Sequence, residues 1–242
     1  MAKYREELGK SLPAAIRDDV DRWAMVAQMA VRKNPKLLEI VARDQGASLM
    51  RALLECARLG HDPGTKEFYL VPRGGAISGE EGYHGIIRRI LNSGHYRKVV
   101  AQVVHENDTF SFDPVTDDLP DHEPAEGDRG RPVSAYAFAV HWDGSPSAVG
   151  VATPQRIEAA KAKSFGADRR DSPWQSVTGV MYRKTAVREL EAWVHTSAEV
   201  RPRVDAPRAP VVAAEAEVHD AELIDDVDVF EIPAGLEGGE QA

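Results

Sequence analysis

Residues 67–105 read EFYLVPRGGAISGEEGYHGIIRRILNSGHYRKVVAQVVH, and the changes of period within this stretch set the fold class. Glu67 to Val71 is rich in aromatic and branched side chains, and Pro72-Arg73-Gly74-Gly75 punctuates it as a hairpin turn does, so a strand pair is expected. Residues 82–92 return to helical spacing and stop at Gly94, after which Tyr96 to His105 reads as a long strand. With a second long strand expected over Pro132 to Trp142, this order of elements points to an α+β fold.

Upstream, residues 46–59 place Leu49, Leu53, Cys56 and Ala57 on one helical stripe that ends at Gly60. Residues 14–31 carry Ala15, Val20, Trp23, Ala27, Ala30 and Val31 at helical spacings with no Gly or Pro between them, and a short helix follows Pro35. Downstream, Thr153-Pro154 and Ser172-Pro173 each offer an N-cap followed by Pro at the first helical position, predicting helices to about Lys163 and about His195. From Arg201 onward Ala, Val, Pro, Asp and Glu predominate without a period, and disorder is expected. The chain therefore divides into an N-terminal helical segment (1–45), a core (46–200) and an acidic tail (201–242). The helices near Trp23 are a candidate for self-assembly, with ordinary core packing the equal alternative.

Hydrophobic residues make up 43% of the 242, enough for a substantial core, and the single cysteine, Cys56, can form no internal bridge. No charged leader precedes an apolar stretch, and apolar runs such as 99–104 fall far short of the roughly 20 residues a membrane helix needs. A soluble protein of the cytoplasm is expected. The net charge of −9 argues against a nucleic-acid partner until its distribution is considered. Residues 205–242 hold eleven acids and one base, a net of −10, which leaves residues 1–204 at +1. Within that body, residues 105–128 carry nine acids and no Lys or Arg, whereas residues 156–188 carry eight bases and three acids.

Several motifs point away from catalysis. The run from Arg73 to Gly85 is glycine-rich but lacks the Gly-Lys-Ser/Thr ending of a phosphate loop, and paired Glu80 and Glu81 would repel a triphosphate, so a hairpin entering a helix is expected. The eight histidines include no pair at zinc-ligand spacing; Asp121-His122-Glu123 falls in a Pro-rich stretch that reads as a solvated loop. Cys56 reads as a core thiol, and no metal or cofactor is expected.

Cations interleaved with aromatics and glycines suit a surface that tracks a nucleic-acid backbone and stacks bases. Tyr83, Arg88 and Arg89 fall in one helix, and Tyr96, Arg97 and Lys98 start the next strand; with Arg73 in the turn they form the first group. Lys161, Lys163, Arg169 and Arg170 surround Ser164-Phe165-Gly166, and Trp174, Tyr182, Arg183, Lys184 and Arg188 follow. Lys184 and Arg188 are one helical turn apart, beside an apolar stripe of Val180, Val187 and Val194.

Six ordered motifs carry a resemblance. They are Leu53-Leu54-Glu55-Cys56-Ala57-Arg58-Leu59-Gly60-His61-Asp62-Pro63, Phe68-Tyr69-Leu70-Val71-Pro72, Gly82-Tyr83-His84-Gly85, Gln102-Val103-Val104-His105-Glu106-Asn107-Asp108-Thr109-Phe110, Ser172-Pro173-Trp174 and Met181-Tyr182-Arg183-Lys184-Thr185-Ala186-Val187-Arg188. Over roughly residues 46–190 the chain resembles the RecT family of phage recombinases.

The resemblance implies a single-strand DNA-annealing protein that works without ATP, forms rings or helical filaments, and operates beside a partner exonuclease and a host single-strand-binding protein in the bacterial cytoplasm. It also implies a curved antiparallel sheet with helices framing a basic groove, and no bond-making or bond-breaking chemistry. The chain departs from the family at Ser78-Gly79-Glu80-Glu81 and His84, where an apolar strand and a lysine are common, and in a longer acidic stretch between Phe112 and Arg131. Two other readings stand beside this one: a metal-dependent nuclease using acids from residues 106–128, and a passive single-strand-binding protein. The tail either competes with DNA for the basic surface or serves solubility and partner binding.

Overall fold

The computed structural model describes residues 9–164, 166–170 and 172–204, and the structural statements below concern these residues. Helices α1 (Ala14–Arg17), α2 (Val20–Arg32), α3 (Pro35–Asp44) and α4 (Ala47–Leu59) lead into the hairpin β1 (Phe68–Arg73) and β2 (Ala76–Glu81). The single helix expected over residues 14–31 is broken at Asp18-Asp19. Aspartate is poor in a helix interior, and Asp19 takes the N-cap position of α2 through its backbone alone, its carbonyl accepting from Trp23 N at 2.9 Å.

The apolar stripes of α2, α3 and α4 close on the hairpin in one core that includes Trp23, Ala27, Leu37, Leu53, Cys56 and Phe68. This core crosses the boundary drawn at residue 45. Trp23 is only 2% exposed and its indole Nε1 donates to His61 O at 2.8 Å, so this side chain packs in the core. Cys56 is fully buried, as a core thiol should be, and burial pushes the thiol well above its ordinary value.

The glycine-rich stretch is a hairpin followed by helix α5 (Tyr83–Asn92). Gly74 and Gly75 both adopt positive φ, +56° and +79°, the two-residue turn whose twist matches the strands. Antiparallel pairing runs from Arg73↔Ala76 to Phe68↔Glu81. Ser48 Oγ accepts from Ile77 N at 2.9 Å and ties the hairpin to α4.

A second core lies beneath a three-stranded antiparallel sheet in the order β3 (Tyr96–His105), β6 (Pro132–His141), β7 (Gly150–Ala152). Helices α6 (Pro154–Ala162), α7 (Pro173–Ser176) and α8 (Thr178–Glu191) follow. Strand alternation puts Ala135, Ala137, Ala139 and Ala152 on the face packed with Ala186, Val187 and Leu190 of α8. Small side chains there bring the helix close: a Cβ on Gly150 would lie 2.3 Å from Leu190 N. Thr153 and Ser172 cap α6 and α7 as expected. The helix expected from Ser172 to about His195 is instead interrupted at Val177, where φ is −137° and ψ 53°, and ends at Glu191.

All strand pairing is antiparallel, but in three sheets rather than one. The third pairs β4 (Thr109–Ser111) with β5 (Asp121–Glu123), which corrects the solvated-loop reading of Asp121-His122-Glu123. His122 is 5% exposed and its ring contacts Tyr136 Oη and Asp108 Oδ2, both at 3.1 Å. Asp108, fully buried, also accepts from Arg129 Nη2 at 2.7 Å; that guanidinium outweighs burial and holds the carboxyl far below the usual range. The longer acidic stretch is thus folded back and pinned on the second face of the sheet.

Order also extends past Arg201, where disorder was expected. Arg201 N donates to Asn92 O at 2.8 Å and Val204 N to Gly94 O at 3.1 Å, while the Arg203 guanidinium lies 4.3 Å from the Trp142 ring centroid. The tail proper, residues 205–242, lies outside the described residues. No helix among the described residues is long and apolar enough to cross a membrane.

Candidate nucleic-acid interface

The hairpin, α5 and α8 meet around Gly82. A Cβ at Gly82 would lie 2.0 Å from Lys66 O and 2.9 Å from the Tyr69 ring, so only glycine lets the β1 side come this close to the start of α5. Gly82 caps α5 without a side-chain acceptor, and the positive end of the helix dipole is therefore not neutralised by a cap. The His84 ring lies 4.1 Å from that of Tyr83; burial, and then Lys66 and Arg183, push its imidazole below the ordinary range.

Beneath this surface lies a buried ionic network that absorbs the carboxylates. Glu81 takes Arg89 Nε at 2.7 Å and Nη2 at 2.9 Å, and Arg89 also bonds Glu191 at the end of α8. His61, 1% exposed, places Nε2 2.7 Å from the Glu81 carboxylate and Nδ1 3.5 Å from Glu67, the second an ion-pair distance only. Glu67 in turn pairs with Arg88 at 2.6 Å, and Glu80 with Arg73 at 2.6 Å. The two acids that depart from the family pattern are thus both neutralised.

Burial pushes the His61 imidazole down, and Glu67 and Glu81 outweigh it, so its pKa is raised. The same contacts outweigh burial at Glu67 and Glu81, whose carboxyls are held low. A raised histidine contributes stability below the unfolded imidazole value, lost as pH rises through the folded one; lowered carboxylates contribute above their unfolded value, lost as pH falls. The network is therefore strongest between the ordinary carboxylate and imidazole ranges. Urea midpoints of the wild type should fall as pH rises from about 6 to about 8.5, and His61→Asn should flatten that slope. Equal slopes would show that His61 carries no linked proton.

Above the network, α8 presents Arg183, Lys184 and Arg188. None has a carboxylate partner among the described residues: Arg188 Nη2 donates to the carbonyl of Glu81 at 2.9 Å, and Arg183 Nε is buried without a partner. Lys184 is half-buried; burial and then Arg188 push its ammonium below the lysine range against a weaker pull from Glu80. Lys66, exposed and outside the dense basic stretches of the sequence, joins this group through its closeness to His84.

The sequence candidates thus separate. Arg73, Tyr83, Arg88, Arg183, Lys184 and Arg188 surround the hairpin, α5 and α8. Arg89 and Trp174 lie inside, 8% and 6% exposed, the first in the ionic network and the second in the second core. Arg97 is the exposed residue skipped where the β3–β6 register shifts, next to half-buried Lys98. Lys161 sits in the last turn of α6, and Lys163, Arg169 and Arg170 in the α6–α7 connection. Among the described residues no three His, Cys, Asp or Glu side chains are grouped to hold a metal ion.

Mixed helices and antiparallel strands thus set Arg183, Lys184 and Arg188 beside the hairpin and the start of α5. The chain belongs to the RecT family, whose model matches residues 22–226. It is 30% identical to Protein RecT of Escherichia coli (strain K12) over 210 residues, 83% of this chain and 75% of that protein.

Proposed function

We propose that this protein binds single-stranded DNA and anneals complementary strands in phage-type homologous recombination, without ATP and as a multi-subunit assembly. Membership of the RecT family supports the general function, recombination through strand annealing. The observation that carries the site is the crowding of Lys66, Arg183, Lys184 and Arg188 beside the start of α5 with no carboxylate among the described residues paired to any of them. Crowded, partly desolvated cations destabilise one another, and a phosphate backbone relieves that cost while releasing its own counterions. Arg73 and Arg88 extend the track, and Tyr83 offers a ring for stacking. Arg89 and Trp174 act one layer below, by holding Glu81, α8 and the sheet in place.

Annealing asks for no bond chemistry. Strands held by their phosphates keep their base edges free to pair, so sequence preference is weak and neighbouring subunits extend the track. A partner exonuclease supplies the single strand, a host single-strand-binding protein shares it, and the bacterial cytoplasm is where they meet. Mixing two labelled complementary oligonucleotides without nucleotide tests this reading: pairing should be faster than for the free strands. Slower pairing would indicate a passive single-strand-binding protein, and magnesium-dependent shortening of the label a nuclease; either overturns it.

The acidic residues 205–242 follow directly on Val204, which is held beside Gly94. A net of −10 tethered to the body competes with DNA for the cations of α8 at high effective concentration. Truncation after Val204 should tighten oligonucleotide binding most at low salt, the gain shrinking as screening rises. Coincident titrations at every salt concentration would leave the tail no part in binding.

A further inference from the structure

Helices α2 and α3 turn Trp23, Ala27, Val31, Leu37 and Ile40 into the first core, yet both keep apolar side chains outside it. Met25 and Met29, one turn apart on α2, are 62% and 53% exposed, and Leu38 on α3 is 44% exposed. Between Met29 and Leu38 the chain passes from one helix to the other through Lys33 and Asn34 alone, and residues 29–38 hold three bases and no acid. Arg32, Lys33 and Lys36 are exposed, and none has an ion-pair partner among the described residues. The nearest acids along the chain are Asp21 and Glu39, outside this corner on either side. The corner between α2 and α3 is therefore basic and flanked by exposed apolar side chains.

Beyond the C-terminal end of α8, Trp193 stands 70% exposed in the wall of a groove of about 370 Å³ that it forms with Phe112, Pro114, Asp117, Asp118 and Val149. The rest of that wall, residues 146–148, is uncharged, so the groove is acidic and holds no base of its own. Val115 and Leu119, in the same stretch of chain, are 89% and 41% exposed. The Asp118 side chain has no hydrogen-bond or ion-pair partner among the described residues, whereas the Asp117 carboxylate builds the turn by accepting from Asp113 N at 2.8 Å. An exposed indole in a cleft bordered by apolar side chains, with charges around them, has the composition of an interface anchor inside a polar rim.

We propose that these two surfaces meet between subunits: the α2–α3 corner of one copy seats in the acidic groove of the next, with Trp193 packed against Met29 and Leu38. Charge selects this occupant, because the corner supplies only bases and the groove only acids. Both surfaces stay exposed in a single subunit, so neither covers the other there. Methionine is unbranched and polarizable, and it adapts its shape to an aromatic partner. Such a contact joins two different surfaces, so it repeats head to tail and closes into a ring or continues as a filament according to the rotation per subunit. It leaves the hairpin, α5 and α8 cations for DNA. The inference rests on the self-assembly proposed above and names the surfaces responsible.

Sedimentation velocity with and without a single-stranded oligonucleotide tests it, using two variants at exposed positions. One blocks the groove, Asp118→Lys with Trp193→Ser, and leaves Asp117 to hold its turn; the other blocks the corner, Lys33→Glu with Lys36→Glu. Each alone should sediment as single subunits under conditions where the wild type assembles. An equimolar mixture should give two-subunit particles and nothing larger. The intact corner of the groove variant fits the intact groove of the corner variant, and each pair then ends on two blocked surfaces. Trp193→Ser alone should raise the midpoint concentration for assembly by about 30-fold, the weight of a tryptophan anchor. If the wild type assembles and either variant assembles as it does, or the mixture stays as single subunits, these surfaces are overturned while self-assembly stands. Unchanged assembly of both variants would also leave the groove to a basic segment of a different protein. A wild type that remains a single subunit under every condition removes the assembly reading and this one together.

Discussion

Gly150→Ala should destabilise the protein by about 3 kcal/mol, the upper range for forcing one extra carbon into a packed interior. The added Cβ would lie 2.3 Å from Leu190 N, 2.6 Å from Leu190 Cα and 2.9 Å from Ala186 O. All three are backbone atoms of α8, so no side chain can turn aside and the helix itself has to move off β7. Gly144 supplies the contrast. Its φ of +93° strains any side chain, yet nothing lies within 4 Å of an added Cβ, and Gly144→Ala should cost only about 1 kcal/mol. Urea denaturation of both variants beside the wild type measures the difference. Because α8 carries Arg183, Lys184 and Arg188, Gly150→Ala should also weaken oligonucleotide binding at temperatures where it stays folded. Equal midpoints for the two variants would mean that the β7–α8 contact is looser than the structure shows.

Elements with local signals were legible in the sequence. The stripe of Leu49, Leu53, Cys56 and Ala57, the Gly74-Gly75 turn and the Thr-Pro and Ser-Pro caps are each decided within a few residues, and each is found in place. The strand pair β4–β5 was not legible, because three polar residues show no period and His122 becomes interior only through Tyr136 and Asp108, each 14 residues away in the chain. The alternation of Ala135, Ala137 and Ala139 was a usable sign of a closely packed helix, but nothing nearby says which helix.

Charge counting showed the same limit at the site. It located Lys184 and Arg188 beside the apolar stripe of α8, and the structure adds that neither has an ion-pair partner among the described residues. It also selected Arg89, whose charge is cancelled by Glu81 and by Glu191, the latter 102 residues later. Lys66 escaped notice because it stands alone in the turn before β1, and only the approach of Gly82 brings it to α5. Which cations stay uncompensated is decided by partners distant in sequence, and composition carries no record of those partners.

Replacing Lys184 and Arg188 together with alanine should lower single-strand affinity by about 25-fold at an ionic strength of about 0.1 M. The figure follows from counterion release: each phosphate contact on a single strand contributes about 0.7 to the salt slope, so losing two reduces it by about 1.4. Folding should survive, since neither cation has a carboxylate partner among the described residues and their removal relieves the burial of the Lys184 ammonium and then its repulsion by Arg188. Phosphates carry no sequence information, so the loss should be the same on a thymine homopolymer and on mixed sequence. Fluorescence anisotropy over a salt series, with an oligonucleotide short enough to hold one subunit, reads slope and affinity together without contributions from assembly. A reduced slope for this variant beside an unchanged one for Lys163→Ala with Arg170→Ala would place the strand along the hairpin, α5 and α8. An unchanged slope for Lys184→Ala with Arg188→Ala in a folded protein would move the DNA path to another face.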